Sequence, residues 1–293
     1  MLAHRFVQFG FFILLALLGS CNSSITSPEQ MTIGVVSNGE EAVSLDKYDG
    51  FKNYIAAQTK SIVELEPAYN ELQAVDQISR KQWDIVFAPP GLAAIAINRQ
   101  YEPVFSMGEV SSRQRSLLIV RDDSSIKKIP DLANKTVALG QIGSAAGYYV
   151  PLYDLYGLTL ADIRFAPTPK TLLQWLKEGS VDAGALSEKD FEIYRRQFSQ
   201  IKFRIIHTSR WIPPGLVLLS PNIERNREQQ IRKVMSEAPA YITADSGYIP
   251  SEKVPKYKQF IELISKVKPL ETQIQEKPVV LLPKASTNTN KTD

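Results

Sequence analysis

Short apolar runs alternate along the chain with stretches whose apolar residues fall three and four apart. Met31–Val36 predicts a strand. Tyr48–Thr59, with Phe51, Tyr54, Ile55 and Ala56 at helical spacing, predicts a helix. Ser61–Leu65 and Trp83–Ala88 read as two further strands, with a helix over Asn70–Arg80 between them. Pro89-Pro90-Gly91 stops the third strand, and a helix of small residues follows over Leu92–Asn98. This βαβαβα order argues for a parallel sheet covered on both faces.

A second series begins after Ser116–Arg121. Strands are expected at Lys135–Leu139, Ile163–Ala166 and Val181–Leu186, and helices over Ser144–Tyr156, Thr171–Lys177 and Phe191–Phe198. Strands at Phe203–His207 and Gly215–Ser220 follow, then helices over Arg225–Ala240 and Ser251–Val267. Two βα units result, joined by two strand-like crossings, Ser116–Arg121 and Gly215–Ser220. The expected boundaries are residues 31–117 with 221–268 for the first lobe and 118–220 for the second. Such an arrangement leaves a cleft between lobes, where small ligands bind, and the crossings are natural hinges.

The ends differ from this body. Residues 1–20 carry His4 and Arg5 ahead of an apolar run from Phe6 to Leu18, the shape of a secretory signal. The run closes on Leu18-Gly19-Ser20-Cys21, which resembles a bacterial lipobox, and residues 21–30 read as a tether. A lipoprotein held to a membrane through Cys21 is the expectation; an ordinary signal peptide or an uncleaved anchor is the alternative. From residue 269 to 293 the chain reads as a flexible tail rich in Ser, Thr, Asn and Lys. Pro278–Pro283 is an apolar island in it, either a docking segment or a strand-like fragment laid on the body.

The chain has 293 residues, enough for two domains at about 150 each. Hydrophobic residues at 44% and charged ones at 22% exclude a disordered chain and a polytopic membrane protein. A net charge of +3 gives no case for nucleic acid, and one Cys with two His makes a disulfide within the chain impossible and a Cys/His zinc site nearly so. No Walker loop, dinucleotide fingerprint, HExxH or GxSxG occurs, so neither a cofactor nor a metal is expected. His207 ends a strand-like segment and reads as a hydrogen-bonded histidine rather than a catalytic one. With no convincing acid–base pair or activated nucleophile, the chain is not expected to be an enzyme.

Four stretches resemble one family. They are Ile129–Ala138, Gly143-Ser144-Ala145-Ala146-Gly147 followed by Pro151, Glu178–Ala185, and Thr208–Pro214. Together they are similar to the phosphate/phosphonate branch of the type II periplasmic solute-binding proteins of ABC importers, over about Met31–Lys266. The resemblance implies a two-lobed α/β fold, each lobe a mainly parallel sheet flanked by helices. It further implies a small, anionic, phosphate- or phosphonate-like ligand, permease and ATPase partners, and a monomer facing the periplasm or cell exterior. The chain departs from the family pattern at three places. Ala145-Ala146 stand where the family has hydroxyls, Gln114-Arg115 where it usually has Tyr, and Pro169-Lys170 near where it has His.

Residue chemistry points to the same loop. Gly140–Gly147 lies between a strand and a helix, and Ser144 is a good N-cap. Backbone N–H groups at a helix start, with the helix dipole, make an anion seat; a plain cap needs no ligand. Pro151 implies a short first turn and a restart close to the next helix's first position. Loops after strand C-termini face such clefts, which nominates Ser37, Tyr69, Pro90 and Ser187 beside the Gly143–Gly147 loop. Tyr69 reads equally well as a surface tyrosine. Arg113 and Arg115 are candidate cations near a hinge, and Glu188 and Asp190 would meet a ligand amine rather than an anion. The alternative function is a ligand-sensing or adaptor module on the same fold.

Overall fold

The computed structural model describes residues 29–36, 45–108, 114–251 and 253–282. The expected signal peptide, residues 21–28 of the expected tether with Cys21, Ser37 and Arg113 lie outside the described residues, while Gln30, the last residue of that tether, opens the first strand. Two sheets form the molecule. The first contains β1 (Gln30–Val36), β2 (Ile62–Ala68), β3 (Ile85–Ala88), β4 (Glu102–Met107), β11 (Leu216–Leu219) and β12 (Tyr248–Ile249), in the order β12-β4-β11-β3-β1-β2. The second contains β5 (Ser116–Arg121), β6 (Thr136–Leu139), β8 (Asp162–Phe165), β9 (Ala183–Ser187) and β10 (Phe203–Thr208), in the order β10-β5-β9-β6-β8.

The sheets share one plan. β1 pairs parallel with β2 and β3, and β6 pairs parallel with β8 and β9. In each sheet the next strand inward is antiparallel, β11 in the first and β5 in the second, and each follows directly on a passage between lobes. The two segments expected as crossings are thus interior strands of one sheet each. The passages, described at 114–115 and 209–215, touch where Ile212 N donates to Gln114 O at 2.8 Å, and Ser209 N donates to the first residue of β5, Ser116 O, at 2.9 Å. β11 is buried at every position because both of its faces are covered, Leu216 and Leu218 entering one core and Val217 and Leu219 the other, which is why its sequence is a continuous apolar run.

Helices cover both faces. α1 (Asp46–Thr59) buries Tyr48, Phe51, Ile55 and Thr59 on one stripe. α2 (Glu71–Ser79) and α3 (Pro90–Asn98) complete the first βα series. In the second lobe a π-turn over Ala145–Tyr149 runs into α4 (Val150–Asp154), with Pro151 at the start where its missing N–H is harmless. A two-stranded pairing begins at β7 (Thr159–Leu160), and α5 (Pro169–Glu178) and α6 (Glu188–Tyr194) follow. His207 Nε2 lies 3.0 Å from Asp154 Oδ2, a satisfied strand-end histidine.

The C-terminal third departs most from expectation. The helix from Arg225 ends early: α7 is Arg225–Ser236, because Pro239 disfavours helical backbone before it, and α8 (Ala240–Ser246) restarts from Pro239 as its cap. β4 has no counterpart among the expected elements. Its Pro103 lacks a ladder donor, and the pairing with β11 shifts register between Val217 and Leu218, where Pro103 is accommodated. α9 (Lys258–Val267) buries Phe260, Leu263, Ile264 and Val267, and packs on α3 of the first lobe and α4 of the second.

The expected flexible tail needs a correction over its first part. Leu270, Ile274, Val279 and Leu281 are buried in the core that α9 shares with both lobes. β13 (Val279–Val280) pairs antiparallel with β7, Leu281 N donates to Leu158 O, and Gly157 N donates to Leu281 O, both at 2.8 Å. The apolar island is therefore a strand fragment laid on the body; residues 283–293 lie outside the described residues.

Candidate functional site

Strand C-termini of both sheets feed helix N-termini that point into one cavity of about 630 Å³. Contributions come from the starts of α1 (Lys47, Tyr48), α2 (Asn70, Glu71), α3 (Pro89, Pro90), the turn before α4 (Ser144–Gly147), α5 (Thr168, Pro169) and α6 (Ser187, Lys189, Asp190). Each start leaves N–H groups without intrahelical acceptors and carries the positive end of a dipole. The cavity is therefore biased toward negative charge before any side chain is counted.

Most of the caps are built from short polar side chains. Asn70 Oδ1 accepts from Gln73 N at 2.9 Å, Thr168 Oγ1 from Thr171 N at 3.1 Å, and Ser187 Oγ from Asp190 N at 2.9 Å. Ser144 Oγ accepts from Gly147 N at 3.0 Å, so Ser144 caps its turn as its sequence position predicts. Gly143 has φ +108°, a left-handed conformation that favours glycine. The loop is held from behind, where Ser116 Oγ donates to Ala146 O at 2.6 Å and Gly140 N to Gly147 O at 2.8 Å. Ala145 and Ala146 occupy the first positions of the turn, where helix geometry gives their N–H groups no intrahelical partner.

The lobes touch at this loop. A Cβ added to Gly91, in the first turn of α3, would lie 2.1 Å from Gly143 O and 2.8 Å from Ala145 N. Glu71, at the start of α2, packs its own Cβ where a side chain on Gly143 would stand, 2.8 Å away. The anion-type loop of the second lobe thus meets two helix starts of the first.

Charges in the cavity come in opposed pairs. The first lobe contributes Lys47 and Glu71, the second Lys189 and Asp190. Burial raises the Glu71 carboxyl above its ordinary range; its own backbone N–H opposes this and the Asp190 carboxylate adds to it. Asp190 Oδ2 also accepts from Ser187 Oγ at 2.6 Å. Gln141 lines the cavity, and its buried Oε1 has no hydrogen-bond partner among the described residues. No group of three or more His, Cys, Asp or Glu among the described residues is arranged to hold a metal ion.

The raised Glu71 carboxyl has a consequence for stability. Its folded pKa lies above its unfolded one, so the folded chain binds the proton more tightly. Stability is unaffected by Glu71 ionisation below the unfolded pKa and falls as pH rises through the folded one. Glu71→Gln is expected to raise the melting temperature at neutral and alkaline pH, with the gain disappearing in acid. Melting curves across pH check this, and a gain that is the same at every pH contradicts it.

Of the residues expected from sequence, Tyr69, Pro90, Gly143, Ser144, Ala145, Ala146, Gly147 and Ser187 line this cavity. Tyr69 does so as a 68% exposed rim residue. Arg115 is placed elsewhere. Its guanidinium stacks 3.6 Å from the Trp211 ring centre, joining the two inter-lobe passages, and it is not among the cavity's lining residues. Asp190 lines the cavity and Glu188 does not. Asn70, Glu71, Thr168, Gln141 and Lys47 are additional lining residues. Their shared signal is position: each lies at a strand C-terminus or within two residues of the following helix start.

Residues 33–242 match the family described as ABC transporter, phosphonate, periplasmic substrate-binding protein. XAC2383 from Xanthomonas citri, solved bound to ATP, is 19% identical, with 81% of this chain and 96% of that one covered and a TM-score of 0.66. PhnD1 from Prochlorococcus marinus, solved in complex with methylphosphonate, is 15% identical, with 82% and 98% covered and a TM-score of 0.63. A binding protein component of an ABC phosphonate transporter from Pseudomonas aeruginosa is 17% identical, with 75% and 80% covered and a TM-score of 0.57. No curated protein matches. At these identities the solved structures share the fold.

Proposed function

The chain belongs to the periplasmic substrate-binding proteins of phosphonate ABC transporters, and from that premise we propose that it is a lipid-anchored member holding a phosphonate- or phosphate-like anion between its lobes. As a member of that family it is a binding protein rather than an enzyme, and it works outside the cytoplasm for an importer that has permease and ATPase subunits. Anchoring through Cys21 and a monomeric state complete the reading. The convergence of helix starts from both lobes on one cavity carries it, because that geometry favours an anion touching both lobes at once. Only such a ligand favours the lobes-together state over the open one. The N–H groups of Ala145 and Ala146 are the expected donors to the anion, with Ser144 fixing their turn. The methylphosphonate seen in the Prochlorococcus protein and the phosphate groups of the ATP seen in the Xanthomonas protein are anions of this class.

A thermal-shift panel of phosphonates, phosphate, sulfonates, carboxylates and amino acids tests the proposal. A ligand at a hundredfold excess over its Kd adds about 2.7 kcal/mol, which raises Tm by roughly 5–10 °C for a chain of this size. The expected result is such a rise with a phosphorus oxyanion. Ser144→Ala, which removes a cap worth about 1 kcal/mol, is expected to shrink the rise. No rise with any anion contradicts the proposal.

One observation favours sensing over import: α9 packs on helices of both lobes, so a wide opening would break buried contacts. Deletion of the gene separates the two. Loss of ligand uptake is the outcome for an importer component, and unchanged uptake with a lost response is the outcome for a sensor.

A further inference from the structure

We propose that the inter-lobe cavity takes a phosphorus oxyanion bearing a bulky apolar or aromatic substituent, with Tyr69 and Ile193 holding that substituent at the mouth. The inference rests on the anion reading of the same cavity and adds to it the class of group that the phosphorus carries.

The cavity is too large for a small anion alone. Methylphosphonate has five non-hydrogen atoms, which fill about 150 Å³ if each takes a water molecule's share of the liquid. The cavity holds about 630 Å³, several times as much. A wide-open cleft does not account for the surplus, since the lobes already meet where Gly91 approaches Gly143 and Ala145. A volume of this order suits a ligand of drug-like size.

The wall away from the 143–147 turn suits an apolar group. Pro167 and Pro169 enter it ahead of α5, and Pro213 and Pro214 from an inter-lobe passage. Proline has no N–H to offer an anion. In α6, Ile193 stands one turn beyond Lys189 and Asp190 on the same face, and all three line the cavity. Ile193 is 40% exposed, and Tyr69 of the other lobe, on the rim, is 68% exposed. Each lobe therefore presents apolar surface to water at the cavity that holds the anion seat.

Tyr69 is fixed in place although its ring is exposed. Its N–H donates to Gln73 Oε1 at 3.0 Å, while Asn70 Oδ1 accepts from Gln73 N at 2.9 Å, so the cap of α2 pins its backbone. An aromatic ring displayed from an ordered backbone loses little freedom when a ligand covers it. A substituent that reaches from the turn to the mouth removes this surface from water, and the apolar area it covers favours binding. An anion of methylphosphonate's size at the turn leaves that surface wet.

Calorimetric titration of the intact protein with methylphosphonate, butylphosphonate and phenylphosphonate tests this. In the wild type, phenylphosphonate is expected to bind at least about tenfold more tightly than methylphosphonate, with butylphosphonate between them. Its heat-capacity change on binding is expected to be the more negative, the mark of buried apolar surface. Both side chains are exposed, so the double variant Tyr69→Ala with Ile193→Ala is expected to fold, and to bring phenyl- and methylphosphonate within about threefold of each other. Tyr241→Ala, which removes an equally exposed tyrosine outside the cavity lining, is expected to keep the preference. Methylphosphonate that binds as tightly as phenylphosphonate in the wild type overturns this inference and leaves the anion reading standing. A preference that survives the double variant in a protein with a normal melting curve overturns it as well. Absence of binding for all three probes overturns the anion reading itself and this inference with it.

Discussion

Gly91→Ala is expected to weaken ligand binding by about tenfold to a hundredfold while leaving each lobe folded. The added Cβ would sit 2.1 Å from Gly143 O and 2.8 Å from Ala145 N. Both are backbone atoms of the other lobe, so no rotamer change relieves the overlap. Overpacking of this kind costs about 1–3 kcal/mol, and here the cost falls only on the state in which the lobes touch. The affinity of a ligand that needs that state drops by the same free energy, since each 1.4 kcal/mol is about tenfold. Helix propensity runs the other way, favouring alanine over glycine by about 1 kcal/mol. A Gly91→Ala protein that still melts cooperatively but binds weakly, with a larger radius in solution scattering and a lower melting temperature from the buried contacts that opening removes, is the expected outcome. Unchanged affinity with unchanged dimensions contradicts the contact.

Leu281→Ala is expected to cost about 2–5 kcal/mol, the range for a fully buried leucine. In Tm this is roughly 4–20 °C for a chain of this size. Leu281 exchanges backbone hydrogen bonds with Gly157 and Leu158 and sits in the core that α9 shares with both lobes. Its neighbour Leu282 is 47% exposed, and Leu282→Ala is expected to stay within about 0.5 kcal/mol. Denaturant melts of the pair check this. Equal, small effects at both positions contradict the docking of the C-terminal segment.

The parallel centres of both sheets were legible because buried parallel strands write themselves as apolar runs, as at Ile85–Ala88 and Ala183–Ser187. β4 was hidden by Pro103, which reads against a strand until a register shift absorbs it. The α7–α8 break has a local signal in Pro239, which ends one helix and caps the next where the apolar spacing alone runs on to Ala240. The docking of Val279–Leu281 depends on a partner strand more than a hundred residues away, so no local pattern distinguishes it from a tail.

The site divides in the same way. Ser144 and its glycines were readable as a helix cap at a strand end, since capping is local chemistry. Arg115 was not, because its place is set by a ring on the other inter-lobe passage, Trp211. Glu71 looks in sequence like an ordinary first-turn acid beside a good N-cap. Its burial comes from Gly143 and the second lobe, and long-range packing of that sort has no signature at the residue itself.

The central claim is that the inter-lobe cavity captures a phosphorus oxyanion at the 140–147 loop. Calorimetric titration of the purified protein with methylphosphonate and phosphate, in parallel with Gly91→Ala, tests it most directly. The account predicts one site per chain for at least one of the two anions, weakened by about tenfold or more in the variant. Absence of heat for both anions in a protein that melts cooperatively, or binding of equal strength in Gly91→Ala, would contradict it.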